Sequence, residues 1–175
     1  MSMSSLTLPL ARLRWLVAAL ASFGFLLTGA MAQDLPPLEA PTGPALLTVS
    51  GTIAVTNTEG AAIFDRDMFN ALGTVEITTS TPWTDGPQTF SGVLGRTVLE
   101  RVGAQGTVVL ASALNDYTVE VPIDDFLSYD VMLATHMNGE AMKISDKGPI
   151  WIVYPRDSEP KLQDRRLHDR WVWQL

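Results

Sequence analysis

The residues best able to do chemistry in this chain are a few polar and aromatic side chains in turn-rich stretches. His136 comes two residues before the turn pair Asn138-Gly139, and Trp83 lies in the stretch PWTDGPQTFSG. A neutral imidazole can hydrogen-bond a cofactor, and an indole can stack on a flat ring or on a partner. The structural alternatives are that His136 only ends a strand, that Asn138-Gly139 only forms a tight turn, and that Trp83 only covers the core.

Other patterns that carry chemistry are weak or missing in this sequence. The adjacent acids Asp124 and Asp125 could form a catalytic pair, but their place at a predicted helix start favours capping. His136 and His168 show no metal-ligand spacing, and the absence of cysteine excludes disulfides, iron–sulfur clusters and thiolate metal sites. No G-x-S-x-G, P-loop or G-x-G-x-x-G motif indicates a hydrolase or a nucleotide-dependent enzyme.

The elements that must position these residues follow one another without a regular strand–helix rhythm. Alternation and β-branched runs predict strands, and apolar spacing with capping residues predicts helices. Strands are expected over 46–57 (bent at Gly51, or two short ones), 74–81, 106–122 (a hairpin), 131–137 and 150–155, and helices over 64–73, 93–104 and 123–130, with a loop over 82–92. This order predicts an α+β fold with a mixed, mostly antiparallel sheet and short helices.

The N-terminal region has the layout of a secretory signal. Arg12 and Arg14 precede the uncharged run WLVAALASFGFLLT, and small residues follow at Ala30 and Ala32. We therefore predict a signal peptide over residues 1–32, a proline-rich linker or loosely attached arm over 33–45, and one domain over 46–175. The alternative for the apolar run is an uncleaved anchor helix, although the run is short for a membrane span. The expected location is periplasmic or secreted, without membrane attachment after cleavage.

The acidic character of the chain limits its partners. The net charge is −7, and removal of residues 1–32 takes away two arginines and no acid, which leaves −9. A basic surface for nucleic acid cannot form easily against that charge, so no nucleic-acid partner is expected.

Four stretches of the chain carry a family resemblance. They are FSGVLGRTVLERVG, MLATHMNGEAM, KGPIWIVYP and, at the end, DRWVWQL. In order and spacing they resemble the oxidoreductase molybdopterin-binding domain, the fold of the sulfite oxidase and nitrate reductase family. The resemblance covers nearly all of residues 46–175 and implies that fold for the domain.

The chain departs from this family where the metal would bind. The family has a molybdenum-binding cysteine on the loop after the third element, and the corresponding stretch here, TTSTPWTDG, contains no thiol. The hydroxyls of Ser80 and Thr81 stay protonated near neutral pH and do not replace a thiolate. Trp151 also stands where the family has an arginine. The resemblance therefore allows a bound molybdopterin, but the donor atoms do not favour one.

A pterin that bound here would still need positive partners for its phosphate. The candidates that the resemblance suggests are Arg96, Arg101, Lys143, Lys147 and Arg156. These cations would have to hold the anion against the net negative charge of the domain.

The preferred prediction is an exported binding or accessory module. It would present the pocket in which the family holds its cofactor to a small anionic ligand or a periplasmic protein partner. One alternative is a minimal molybdopterin-dependent oxidoreductase with an oxygen ligand from Ser80 or Thr81. Another is a periplasmic sensory or interaction domain without a small ligand, which should show an apolar groove around Trp83 and Trp173 and no pocket. The predicted binding residues, none of them a metal ligand, are Ser80, Thr81, Trp83, Arg96, His136, Asn138, Lys143 and Arg156.

Overall fold

Nine short strands form the framework of the structure, a computed structural model that describes residues 35–175. In chain order they are β1 (Leu47–Ser50), β2 (Ala61–Phe64), β3 (Thr74–Thr79), β4 (Gln88–Leu94), β5 (Val108–Ser112), β6 (Thr118–Pro122), β7 (Met132–Met137), β8 (Glu140–Ala141) and β9 (Trp151–Val153). Strands β3, β4, β7, β8 and β9 make one sheet, while β1–β2 and β5–β6 are separate pairs. Every pairing among the described strands is antiparallel. The predicted α+β class with a mostly antiparallel sheet is confirmed.

The helices are short and stand between the strands. They are α1 (Arg66–Asn70), α2 (Gly95–Arg101), α3 (Ile123–Ser128) and two 3₁₀ helices, Pro160–Gln163 and Arg165–Arg170. Asp65 caps α1, because its carboxylate accepts a hydrogen bond from the Met68 amide at 2.9 Å. Gly73 follows α1 with a φ of +104°, a left-handed conformation that suits glycine and ends the helix. Of the helices within residues 35–175, none has both the length and the apolar character needed to cross a membrane.

Strand β7 lies at the centre of the main sheet. It pairs with β4 on one side, and with β9 and then β8 on the other. Residues 131–135 are all buried, which explains why this strand is a continuous apolar run rather than an alternating pattern. The core around it contains several fully buried aromatic side chains, namely Phe64, Phe69, Phe90, Trp151 and Tyr154.

A glycine allows β4 and β7 to approach each other. The register of this pair shifts between Ser91 and Gly92, which marks a β-bulge. A Cβ atom on Gly92 would overlap the carbonyl oxygen of Leu133 and lie 2.7 Å from the Cα of Ala134. Backbone atoms on both sides leave no side chain that could move away, so the close approach requires glycine at this position.

Strand β4 corrects two of the predicted boundaries. The loop expected over 82–92 ends at residue 87, and the helix expected from Val93 begins at Gly95. Residues 88–94 pair with β3 along one edge and with β7 along the other from Phe90 onward. The hydrogen bonds of these two ladders outweigh the turn preferences of Ser91 and Gly92, which had suggested a loop.

Residues 35–45 contain no helix or strand, yet the domain holds them by hydrogen bonds. Arg101 donates to the carbonyl oxygens of Pro36 and Pro37 at 3.0 and 2.9 Å. The carboxylate of Asp65 accepts from the amides of Thr42 and Gly43. The predicted signal peptide at residues 1–32 lies outside the described residues, and the boundary between linker and domain stays a prediction.

A partly buried ion pair joins α3 to the C-terminal region. The carboxylate of Asp125 accepts hydrogen bonds from the Tyr154 hydroxyl and the Arg170 guanidinium, each at 2.7 Å. Burial, and then the neighbouring Asp125 carboxylate, raises the pKa of Tyr154 far above its ordinary value, so the phenol stays a proton donor. Asp124, next to Asp125 in the same helical turn, is exposed. Helix capping therefore does not account for Asp125.

Candidate functional site

The loop that should carry the metal ligand, residues 80–87, is called the Trp83 loop below. Its first residue is held by the segment that follows β9. The amide and the hydroxyl of Ser80 both donate to the carboxylate of Asp157 at 2.6 Å. Arg156 donates to the Ser80 hydroxyl oxygen at 2.7 Å, and the amide of Asp157 donates to the hydroxyl oxygen of Thr79 at 3.2 Å. These contacts join the ends of β3 and β9.

The rest of the Trp83 loop is held by its own hydroxyls and by β4. The hydroxyl oxygens of Thr81 and Thr84 lie 2.9 Å apart, and the Thr81 hydroxyl oxygen accepts from the Trp83 amide at 3.1 Å. Gln88 donates to the carbonyl oxygen of Asp85 at 2.8 Å and accepts from the side-chain amide of Asn138 at 2.7 Å. Both ends of the loop are therefore fixed, and Trp83 projects from between them.

Trp83 packs into a cluster of aromatic rings. Its ring centroid lies 5.3 Å from that of Trp173, 5.8 Å from Trp171 and 6.3 Å from Trp151. The ring planes cross at 80° with Trp173 and at 61° with the other two, which is the edge-to-face arrangement that aromatic quadrupoles favour. The imidazole of His168 lies 5.7 Å from Trp83. Trp83 is 38% exposed whereas Trp151 and Trp171 are buried, so Trp83 forms the outer edge of the cluster.

A cleft of about 310 Å³ opens beside these rings. It lies between the Trp83 loop, the tip of the β5–β6 hairpin and the end of the chain. Its lining includes Trp83, Asn115, Tyr117, His168, Asp169, Trp171 and Trp173. The cleft is thus mainly aromatic, and Asp169 is its charged carboxylate.

Four buried nitrogen atoms in and around this cluster have no hydrogen-bond partner in the described part of the chain. They belong to the Trp151 and Trp171 indoles, the His168 imidazole Nε2 and the Arg156 guanidinium Nε. Buried polar groups without partners are uncommon in folded proteins, and a bound water, a bound ion or a role in chemistry are among the explanations for them. Their concentration here supports the aromatic cluster as the candidate site.

The structure brings some of the predicted binding residues together and separates others. Ser80, Thr81, Trp83 and Arg156 meet at the Trp83 loop, and Asn138 reaches the loop through Gln88. Asn138 has a φ of +53°, and its side chain also accepts from the Thr89 amide at 3.0 Å, which shows that it shapes the turn after β7.

The other three predicted binding residues make no direct hydrogen bond to the Trp83 loop among the described residues. Arg96 forms an ion pair with Asp130. Arg96 comes just after the last residue of β4. That end of the strand is about 20 Å from its first residue, Gln88, which pairs with Thr79 beside the Trp83 loop. His136 contacts the Thr135 hydroxyl at 2.9 Å, and Lys143 is exposed on the connector between β8 and β9. The cations expected around an anion are therefore dispersed.

A second cleft, of about 410 Å³, lies between α3 and the two 3₁₀ helices. Its three cations already have acidic partners: Lys161 with Glu159, Arg166 with Asp164, and Arg170 with Asp125. The ion pairs leave this cleft with no free positive group to attract an anionic ligand.

The residues of this region fit the molybdenum ligation of the family poorly. The sequence supplies no thiolate, and the hydroxyls of Ser80 and Thr81 already take part in hydrogen bonds within the protein. Asp157 places a carboxylate beside Ser80, where it would repel an anionic metal centre. Within residues 35–175 no group of three His, Cys, Asp or Glu side chains could hold a metal ion.

The Ser80–Asp157 contact should make a small, pH-dependent contribution to stability. Hydrogen bonds from the Ser80 hydroxyl and amide, with Arg156 nearby, lower the pKa of Asp157 below its ordinary value of 3.8. A carboxylate with a lowered folded-state pKa stabilises the fold above its unfolded pKa, and this contribution disappears as pH falls through the folded-state value. We expect Ser80→Ala to lower the free energy of unfolding by about 1 kcal/mol at pH 6, because Asp157 is partly exposed.

Urea unfolding of the wild type and Ser80→Ala at pH 6 and near pH 3 measures this difference. The difference should shrink at the lower pH, while the exposed-serine control Ser145→Ala should match the wild type at both. Asp65 and Asp164, whose pKa values hydrogen bonds lower to about 2, titrate equally in all three proteins. A difference that is the same at both pH values would contradict a role for the Asp157 charge.

Sequence reasoning missed several residues of this site. Asp157 was not considered because nothing in the sequence pairs it with a serine 77 positions earlier. Trp173 was named only as part of a possible apolar groove, and Trp171, which is buried at 2% exposure, was not named. Their two-residue spacing was the available signal for an aromatic cluster, but only the fold shows that Trp83 meets both.

Comparison with known proteins agrees with this architecture. A search of curated proteins found no match. The family model for the oxidoreductase molybdopterin binding domain matches residues 64–157, which run from the end of β2 to the acid that holds Ser80. The match covers more than half of the 175-residue chain, including all of the main sheet. The chain therefore belongs to the oxidoreductase molybdopterin-binding domain family.

Proposed function

We propose that this protein is an exported binding module that uses the molybdopterin-domain fold without turnover at molybdenum. The observation that carries the proposal is that the side chains of the Trp83 loop hydrogen-bond to the protein itself. Where the family holds its metal ligand, this chain has two hydroxyls, one bonded to Asp157 and the other to Thr84. A loop held in this way is built to present Trp83, and a metal would have to displace those bonds.

The aromatic cleft supports binding of a small ligand more than a purely structural role. An interaction domain without a ligand was expected to show an apolar groove around Trp83 and Trp173 and no pocket. The cleft of about 310 Å³ beside these rings has the volume of a small-molecule site and a mainly aromatic lining. A protein partner remains the second type of occupant that the exported module could serve.

The geometry does not favour the anionic ligand expected from the sequence. Of the predicted cations, only Arg156 contacts the Trp83 loop in the described part of the chain, and it lies 3.9 Å from the carboxylate of Asp157. An anion at this point would be attracted by the Arg156 guanidinium but repelled by the Asp157 carboxylate. The proposed module therefore needs a ligand whose recognition does not depend on a cluster of cations.

Cofactor content tests the proposed function directly. The full chain, expressed with its own N-terminus in a host that makes molybdopterin, would be purified and assayed for molybdenum by elemental analysis and for pterin by fluorescence after oxidation. We expect both to lie far below one per chain, because residues 35–175 contain no donor set that could hold the metal. The same chain from a host unable to make molybdopterin gives the background.

Molybdenum and pterin near one per chain would contradict the proposal. That result would favour the alternative, a minimal molybdopterin-dependent oxidoreductase with a ligand other than thiolate. Loss of the metal in Ser80→Ala or in Thr81→Val would then identify the oxygen involved.

A further inference from the structure

The walls of the cleft beside the Trp83 loop meet nearly at right angles. The rings of Trp83 and Trp173 have centroids 5.3 Å apart and planes 80° apart, and Tyr117 adds a third aromatic ring that is 46% exposed. A flat ligand needs one broad face to stack on. A corner of perpendicular rings instead surrounds a rounded group on several sides, as in the aromatic cages that hold alkylated ammonium ions.

The charges around the cleft favour a cation. The lining contains Asp169 and no lysine or arginine. Asp169 is exposed and has no ion-pair partner among residues 35–175, because the neighbouring Arg170 turns to Asp125. The whole chain carries a net charge of −7, which raises the local concentration of positive ligands.

The same aromatic cluster already attracts a cation from within the chain. The ammonium of Lys147 lies 5.5 Å from the ring centroid of Trp151, which is inside the distance for a cation–π contact. Trp151 in turn packs at 6.4 Å from Trp173. Trp83 and Trp173 also line the cleft, whose lining among the described residues includes the imidazole of His168 and no lysine or arginine.

From these observations we infer that the cleft formed by Trp83, Tyr117, Asp169 and Trp173 binds a small alkylated ammonium ligand. The cation lies against the faces of the aromatic rings, and Asp169 supplies the opposite charge at the rim. The inference rests on the proposed function, since it names the ligand class of the binding module.

A pair of probes that differ in charge alone tests the inference. Choline and its neutral isostere 3,3-dimethyl-1-butanol have the same shape, with a quaternary nitrogen in one and a quaternary carbon in the other. We expect choline to change the tryptophan fluorescence of the full-length protein saturably, and to bind at least about tenfold more tightly than the isostere. Raising the salt concentration should weaken choline binding, since Asp169 is exposed to solvent.

Substitutions then locate the bound cation. Trp83→Leu and Tyr117→Leu, at partly exposed rings, should each weaken choline binding at least about fivefold while the protein keeps its thermal midpoint within a few degrees. Asp169→Asn should weaken it about threefold. The matched controls are Asp164→Asn, which makes the same charge change in the other cleft, and Tyr129→Leu, which removes an aromatic ring there. Both should leave the affinity unchanged.

Three results would overturn the inference: no saturable binding of choline, equal binding of the neutral isostere, or equal losses in the control variants. Tighter binding of a neutral oligosaccharide than of choline would also overturn the inference, because the rings would then stack on a sugar. Each is separable from failure of the proposed function, which is read independently as molybdenum and pterin content in the same preparation.

Discussion

Replacing Gly92 by alanine is expected to lower the free energy of unfolding by about 3 kcal/mol or more. The added Cβ would overlap the Leu133 carbonyl oxygen and press on the Cα of Ala134, both in the backbone of β7. Because β7 pairs on both sides within the sheet, it cannot withdraw without breaking a second ladder. Urea unfolding followed by tryptophan fluorescence measures the loss.

Gly106→Ala is the matched control for this substitution. A Cβ on Gly106 meets no atom within 4 Å, so the change adds a methyl group in open space. We expect Gly106→Ala to be neutral or slightly stabilising, because alanine restricts the unfolded chain more than glycine does. Equal unfolding midpoints for the two variants would contradict the claim that β4 and β7 touch at Gly92.

Asp125→Ala should also lower the free energy of unfolding by about 3 kcal/mol. The substitution removes the shared acceptor of Tyr154 and Arg170, and the phenol is fully buried. The loss comes mainly from leaving two donors without a partner and only in part from the ion pair itself. Chemical unfolding at neutral pH, with circular dichroism to verify the folded state, gives the value.

Asp124→Ala distinguishes this network from helix capping. Asp124 lies beside Asp125 in the first turn of α3 and has the same charge, but it is exposed. Its removal should change stability by no more than about 0.5 kcal/mol, the usual size of a surface effect. Comparable losses at both positions would mean that the helix end, and not the Tyr154–Arg170 contacts, needs the acid.

Local patterns predicted most of the individual elements. The alternating stretch 74–81 became β3, the hairpin expected over 106–122 became β5–β6, and α1, capped by Asp65, lies within the helix expected over 64–73. These features depend on residues close together in sequence, where periodicity and capping rules apply directly. The family stretches added the fold itself, which the family model confirms.

Predictions failed where pairing with another strand overrides the local sequence pattern. The strand expected over 46–57 stops at Ser50, because Gly51 turns with a φ of +101°. Its partner β2 had no predicted strand, and its last residue, Phe64, was assigned to a helix. Strand β4 was expected to be a loop because turn-forming residues interrupt its pattern, whereas in the fold it pairs with the preceding β3 and with the distant β7. Tertiary contacts override weak local preferences in such segments.

The candidate site was less predictable than the fold. The predicted residues Ser80, Thr81, Trp83 and Arg156 do lie together, whereas Arg96 lies at the opposite end of β4. The dispersal of the cations could not be inferred from sequence, because the sequence does not show which acid or carbonyl group each cation binds. The aromatic cleft depends on the meeting of residues 83 and 173, which only the folded chain brings about.

The hydrogen bonds between Ser80 and Asp157 also bear on the stage of synthesis at which the cleft can form. Its two residues are 77 positions apart, and the rings that Trp83 meets come later still in the chain. A nascent chain that has emerged only as far as β8 therefore lacks β9, Asp157 and the tryptophans at positions 171 and 173 that Trp83 contacts. The proposed cleft therefore forms only after residues 168–173 have been added, and contacts of such long sequence separation form slowly compared with a hairpin.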